Sequence, residues 1–229
     1  MPSAAATDSL AGSILIVVDT AGCSPASWQS VVKVPRPTAR SLRESRLRVE
    51  RTVLRDVLIR VTQGGLVQAR WTNAILDETF RSIQERLPDL DPVKLAHTRE
   101  LMSSAIRDVL VTGYEPLIPA VTSPDPDDRH VVAAAIRARA QVIVTANVRD
   151  FPAESLSQWD VQARTPDEFL LDQFHLDGPS VYGAIQRVAD SWRNPPGTVS
   201  DVLERLERSG LVETVALLRG WQMSGLQQD

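Results

Sequence analysis

The segment "DDRHVVAAAIRARAQVIVT", residues 127–145, carries a helical pattern straight into a strand. The alanine-rich part, Val131–Ala135, suits a close-packed helix, and "VIV" at 142–144 is apolar at every position, as a strand buried on both faces must be. Upstream, "VLRDVLIRVTQGG" repeats apolar residues at 53, 54, 57, 58 and 61, a helical stripe that Gly64-Gly65 stops. "LVQARW" follows as a strand, then "TNAILDETFRSIQERL" as a helix capped by Thr72, with Ile75, Phe80, Ile83 and Leu87 available for a buried side. "DPVKLAHTRELMSSAIRDVL" opens with Asp91 before Pro92, the usual cap-then-proline order, and predicts a further helix. "DVQARTPDEFL" adds a last short strand. Helices alternating with short apolar strands predict an α/β fold with a mostly parallel sheet.

Three regions separate by composition. Residues 1–52 are atypical: a Ser/Ala-rich start, then "VPRPTARSLRESRLRVERT", crowded with arginine. Within them only "SILIVVDTAG" reads as a strand, ending at Asp19 and a turn. Residues 53–165 carry the α/β pattern. Residues 166–229 predict a small all-helical extension of "PDEFLLDQFHL", "PSVYGAIQRVADSWR", "VSDVLERLERSG" and "LVETVALLRGW". The break "NPPGTVS" places Ser200 as an N-cap.

Composition narrows the class. Hydrophobic residues at 43% and charged residues at 24% are those of a soluble globular chain. Cys23 is the single cysteine, which excludes an internal disulfide and a cysteine-built zinc site and fits a reducing compartment. "ILIVV" at 14–18 is too short to span a bilayer and lacks the preceding positive charge of a secretory signal, so a cytoplasmic protein without membrane association is expected. A net charge of −4 argues against coating nucleic acid by charge alone, although an acidic metal pocket can coexist with local arginines.

The acids raise the chemical question. Asp125, Asp127 and Asp128 crowd a helix start, where one aspartate suffices as a cap. Asp128 leads directly to the "VIVT" strand, and Asn147 and Asp150 leave that strand's carboxyl end, the rim where open α/β sheets bind ligands. Glu78 in "AILDETF" borders a buried helix face, with Asp77 pointing away; its plain alternative is an exposed helix glutamate. Two carboxylates ~4 Å apart repel by about 4 kcal/mol at an effective dielectric near 20. Convergence of Glu78, Asp128 and Asp150 would therefore require a proton or a divalent cation. Oxygen ligands favour Mg²⁺ or Mn²⁺, which activate water for phosphodiester hydrolysis. No phosphate-binding glycine motif follows a strand.

"ILDETF", "PDDRHVVAAAI" and "VIVTANVRDF", with "ARWTNAILDE" and "LVTGYEPLIP", resemble the PIN-domain ribonucleases, the class that includes VapC-type toxins of toxin–antitoxin pairs. The resemblance covers about residues 53–170, and the helical tail is similar to one branch's C-terminal extension. It implies a three-layer PIN-like sandwich and a metal-dependent endoribonuclease. Glu78 and Asp128 match metal ligands of that family; Asn147 and Asp150 share its last acidic position, and Thr145 matches a neighbouring hydroxyl. The implied partners are RNA, contacted through Arg129 and Arg149, a cognate antitoxin protein and a homodimer.

The departure from the family lies at the first strand, which should end in a ligating aspartate shortly before the first helix. No aspartate stands near Ser45. Two alternatives follow: Asp19 fills that role with residues 20–50 looped out, or residues 1–52 are foreign sequence replacing a lost start. The rival functional classes are a catalytically impaired PIN-fold module that binds RNA or a protein, and a metal-dependent phosphatase or DNA flap nuclease.

Overall fold

The structure is a computed structural model that describes residues 15–19, 44–86 and 88–225, with the backbone alone described at 15–19, 44–52, 86 and 222–225. Cys23, Leu87 and most of the arginine-rich N-terminal region lie outside the described residues. In chain order the elements are β1 (Leu15–Asp19), α1 (Glu44–Gln63), β2 (Val67–Arg70), α2 (Asn73–Arg86), α3 (Pro92–Ala105), α4 (Arg129–Ala138), β3 (Val142–Val144), α5 (Ala153–Leu156), β4 (Gln162–Arg164), α6 (Pro166–Ser191), α7 (Val199–Arg208) and α8 (Val212–Gly225). Short 3₁₀ turns lie between them, among them Glu115–Ala120, Pro126–Asp128 and Val148–Asp150. The fold is α/β, mostly helical, with a small sheet. No helix among the described residues is long and apolar enough to cross a membrane.

The described residues fall into two compact units, one made of residues 15–17, 70–86, 88–100 and 110–165, the other of residues 18–19, 44–69, 101–109 and 166–225. In the first, β3 is central. It pairs parallel with β4, Val142 opposite Gln162 and Val144 opposite Arg164. The ladder continues through Thr145, whose N–H donates to the Arg164 carbonyl at 2.9 Å. Ile143, Val144 and Thr145 are buried, as a strand apolar on both faces requires. Helix α4 buries Val131–Ala135 without interruption and packs on the Glu115–Ala120 turn; its alanines permit that close approach. Arg139, in the left-handed conformation at φ 54°, ends it.

One direction differs from expectation. β1 runs antiparallel to β3, with Leu15 opposite Val144 and Val17 opposite Val142. The carboxyl end of β1 therefore lies beside the start of β3 and away from Thr145. "ILIVV" is apolar throughout and predicts a strand, but backbone ladders form in either orientation, so its direction is not encoded in the pattern. Asp91 caps α3 as expected, accepting from Val93 N–H at 3.0 Å, yet α3 ends at Ala105 and buries no residue.

In the second unit, α1 buries Val53, Val57, Leu58 and Val61 and packs on α6 and α7. Gly65, at φ +83°, makes the turn into β2. Helix α6 contains the two predicted segments, separated by a kink at Asp177 (φ −152°, ψ 82°). The Asp177 carboxylate accepts from Ser180 N–H at 3.0 Å and from Ser180 Oγ at 2.7 Å, restarting the helix past Pro179. The cap of α7 is Thr198, not Ser200: Thr198 Oγ1 accepts from Asp201 N–H at 3.1 Å, and Asp201 Oδ2 accepts from Thr198 N–H at 2.8 Å. That reciprocal pair satisfies two free N–H groups at once, which Ser200 could not. Asp167, at the start of α6, caps α8 by accepting from Glu213 N–H at 3.0 Å and Thr214 N–H at 2.9 Å.

Candidate metal centre

The rim beyond β3 is built from three chain segments of the first unit. The first leaves β3 itself. Thr145 is buried and its Oγ1 accepts from Asn147 N–H at 3.1 Å, which turns the chain into the Val148–Asp150 3₁₀ turn. The Asn147 side-chain amide donates to the Asp150 carboxylate, holding those two predicted residues together.

The second segment precedes α4. Asp125 Oδ1 accepts from Asp127 N–H at 2.9 Å and so caps the Pro126–Asp128 turn, as its position predicts. Asp128 stands at the N-cap position of α4, but its side chain makes no capping hydrogen bond. Its carboxylate is thus left for another partner. Ser123 Oγ donates to the Asp150 carbonyl at 3.3 Å and ties this segment to the first.

The third segment is α2. Asp77 pairs with Arg99 on one side of the helix. Glu78, with 47% of its side chain exposed, turns toward His130 of α4, and its Oε1 lies 3.6 Å from His130 Nε2.

Electrostatics register the convergence. Asp128 is pushed up to about 6, first by burial, then by the negative charges of Asp150 and Asp125, with His130 opposing and Glu78 adding a smaller push. Negative charge from all three segments therefore acts on one half-buried carboxyl. Of the predicted acids, Asp150 and Glu78 both act electrostatically on Asp128, and Asn147 lies beside Asp150. Among the described residues, however, no group of three or more His, Cys, Asp or Glu side chains is gathered tightly enough to hold a metal as it stands. The donor set still fits a hard divalent cation, which would relieve the repulsion on Asp128. A shielded, unpartnered nitrogen, His130 Nε2, faces the same place.

The remaining predicted residues separate. Arg149 is exposed on the turn after β3, whereas Arg129 is half-buried and its Nε is shielded without a partner. Asp19 is the last residue of β1, and the antiparallel register directs that strand's carboxyl end away from Thr145, so the register does not bring Asp19 to this rim. Sequence reasoning missed His130 and Ser123. The i, i+3 spacing of Asp127 and His130 could have exposed the first, since it puts both on one side of a helix start. Nothing local marks the second.

Residues 49–149 match the family described as PIN domain. Residues 166–220 match a second family, the VapC50 C-terminal domain, so the two matches follow one another along the chain. Among curated proteins the chain is similar to "Putative ribonuclease VapC50" of Mycobacterium tuberculosis, 42% identical over 94 residues, which cover 41% of this chain and 55% of that protein. The chain thus spans about half the length of that relative. No solved structure matches it.

Proposed function

We propose that the chain is a metal-dependent endoribonuclease of the VapC type, the toxin of a toxin–antitoxin pair, acting on RNA in the cytoplasm from a three-layer PIN-like sandwich. The observation that carries this reading is the convergence of charge from Asp150, Asp125 and Glu78 on the uncapped carboxyl of Asp128 at the carboxyl end of β3. Glu78, Asp128 and Asp150 would hold Mg²⁺ or Mn²⁺, with Asn147 orienting Asp150 through its amide. The cation, when bound, supplies a water of lowered pKa and a counter-charge for the phosphodiester. The protein's own part is to keep the acids poised: Thr145 and Ser123 fix the backbone that carries Asn147 and Asp150. Arg149 would contact a backbone phosphate, and Arg129 would serve beside it. An antitoxin protein, and a second copy of the chain, are the expected partners.

The test is cleavage of labelled total tRNA in Mn²⁺ by the full chain, beside Asp128→Asn and an EDTA control. Cleavage should fall by at least about 10–100-fold in Asp128→Asn, a loss that even residues behind the ligands can produce, and should vanish with EDTA. A parent protein that melts cooperatively yet cuts no RNA would overturn the reading.

A second reading, a catalytically impaired PIN module that binds RNA or a protein, is favoured by one observation: the direction of β1 supplies no first-strand aspartate at this rim. Such a module would hold its partner unchanged in EDTA, whereas the nuclease would lose its activity there.

A further inference from the structure

His130 has no role in the chemistry above, yet both of its ring nitrogens are closely held at the rim. Only 12% of its side chain is exposed. Its Nδ1 lies 2.7 Å from the Asp127 carbonyl oxygen, which can only accept, so Nδ1 carries the proton. With the proton on Nδ1, Nε2 is the ring nitrogen left to bind a cation. That nitrogen is shielded from solvent, has no hydrogen-bond partner, and faces Glu78 Oε1 at 3.6 Å. A shielded ring nitrogen set 3.6 Å from a half-exposed carboxylate oxygen calls for a proton or a cation between them.

The geometry suits a metal. Two ligand atoms each about 2.1 Å from one ion lie about 3.0 Å apart at a right angle and about 3.4 Å apart at a tetrahedral angle. A separation of 3.6 Å therefore needs only a small side-chain adjustment. The other ring nitrogen is engaged as metal-bound imidazoles usually are, by donating to a backbone carbonyl that fixes the tautomer and ring orientation.

We propose that His130 Nε2 is a nitrogen ligand of the divalent cation, shared with Glu78, which makes the centre a mixed nitrogen and oxygen site rather than an all-carboxylate one. The proposal takes Glu78 as a ligand from the nuclease reading but needs no RNA cleavage. It has a consequence for the ion: imidazole strengthens binding of Mn²⁺ and the later transition ions relative to Mg²⁺. The centre should therefore discriminate against Mg²⁺.

The probe is Mn²⁺ alone on the full chain, read by pulsed electron paramagnetic resonance for coupling to a ¹⁴N nucleus and by titration for affinity. The chain has three histidines; His97 and His175 are exposed. Coupling is expected in the parent and in His97→Gln/His175→Gln, where His130 is the histidine that remains. It is expected to be absent in His130→Gln, with Mn²⁺ affinity lowered at least about tenfold and Mg²⁺ affinity changed much less. Bound Mn²⁺ without ¹⁴N coupling in the His97→Gln/His175→Gln protein, or no bound Mn²⁺ at all, overturns the proposal. That measurement leaves His130 in place, so it holds even if His130→Gln does not fold. The alternative it would reveal is a protonated His130 paired directly with Glu78. Cleavage of RNA without ¹⁴N coupling would remove the histidine ligand and keep the nuclease; coupling without cleavage would do the reverse.

Discussion

Asp128 is held in a form that works against folding when no cation is present. Its carboxyl titrates near 6 in the folded chain, against an ordinary 3.8, because burial and neighbouring acids disfavour its charged form. The folded chain thus binds more protons than the unfolded chain between those values, and stability falls as pH rises from 3.8 through about 6. Asp128→Asn removes that dependence. In EDTA the variant should be more stable than the parent above about pH 6 and approach it below pH 3.8, a pattern that urea melts at stepped pH would reveal. Asp177 behaves oppositely. Its hydrogen bonds from Ser180 lower its pKa, so its contribution is present above pH 3.8 and fades as acid protonates it. The capping role of Asp125 was legible from its place before Pro126. The orphaned nitrogen of His130 was not, because it depends on α2 bringing Glu78 alongside α4.

At the level of elements, the clearest case is the start of α7. Thr198→Ala breaks the reciprocal pair with Asp201 and should cost about 1 kcal/mol in urea unfolding. Ser200→Ala, at an exposed position inside the helix, should fall within about 0.5 kcal/mol of the parent. An equal loss at both positions would refute the assignment. Helix boundaries such as this one were within reach, since Thr-x-x-Asp is visible in the text once the reciprocal spacing is sought. The α1 stripe and the strand at 142–144 were legible for the same reason: their periods are local. The direction of β1 was beyond reach, because a uniformly apolar run pairs equally well either way. The helix predicted through Leu110 stops at Ala105, where the following Ile106 and Val109 are buried outside the helix.

For the molecule as a whole, a net charge of −4 means RNA would be held by few local cations rather than by a general field. On single-stranded RNA, each neutralised phosphate adds about −0.7 to the slope of log affinity against log salt. Arg149→Ala should make that slope shallower by about 0.7 while leaving Mn²⁺ affinity unchanged; an unaltered slope would exclude a phosphate contact there. The α/β class was legible from alternating periods. Which helices α1 would join was not, since its packing on α6 and α7 rests on contacts far apart in sequence. That separation has a consequence during synthesis. The apolar stripe of α1 leaves the ribosome roughly a hundred residues before α6 and α7 exist to cover it. At about 5–20 residues per second, it waits for several seconds. Asp167 must likewise wait for Glu213 and Thr214 before it can close α8 onto the start of α6. The nascent chain therefore carries an uncovered hydrophobic helix through much of translation, which makes α1 a ready target for a chaperone.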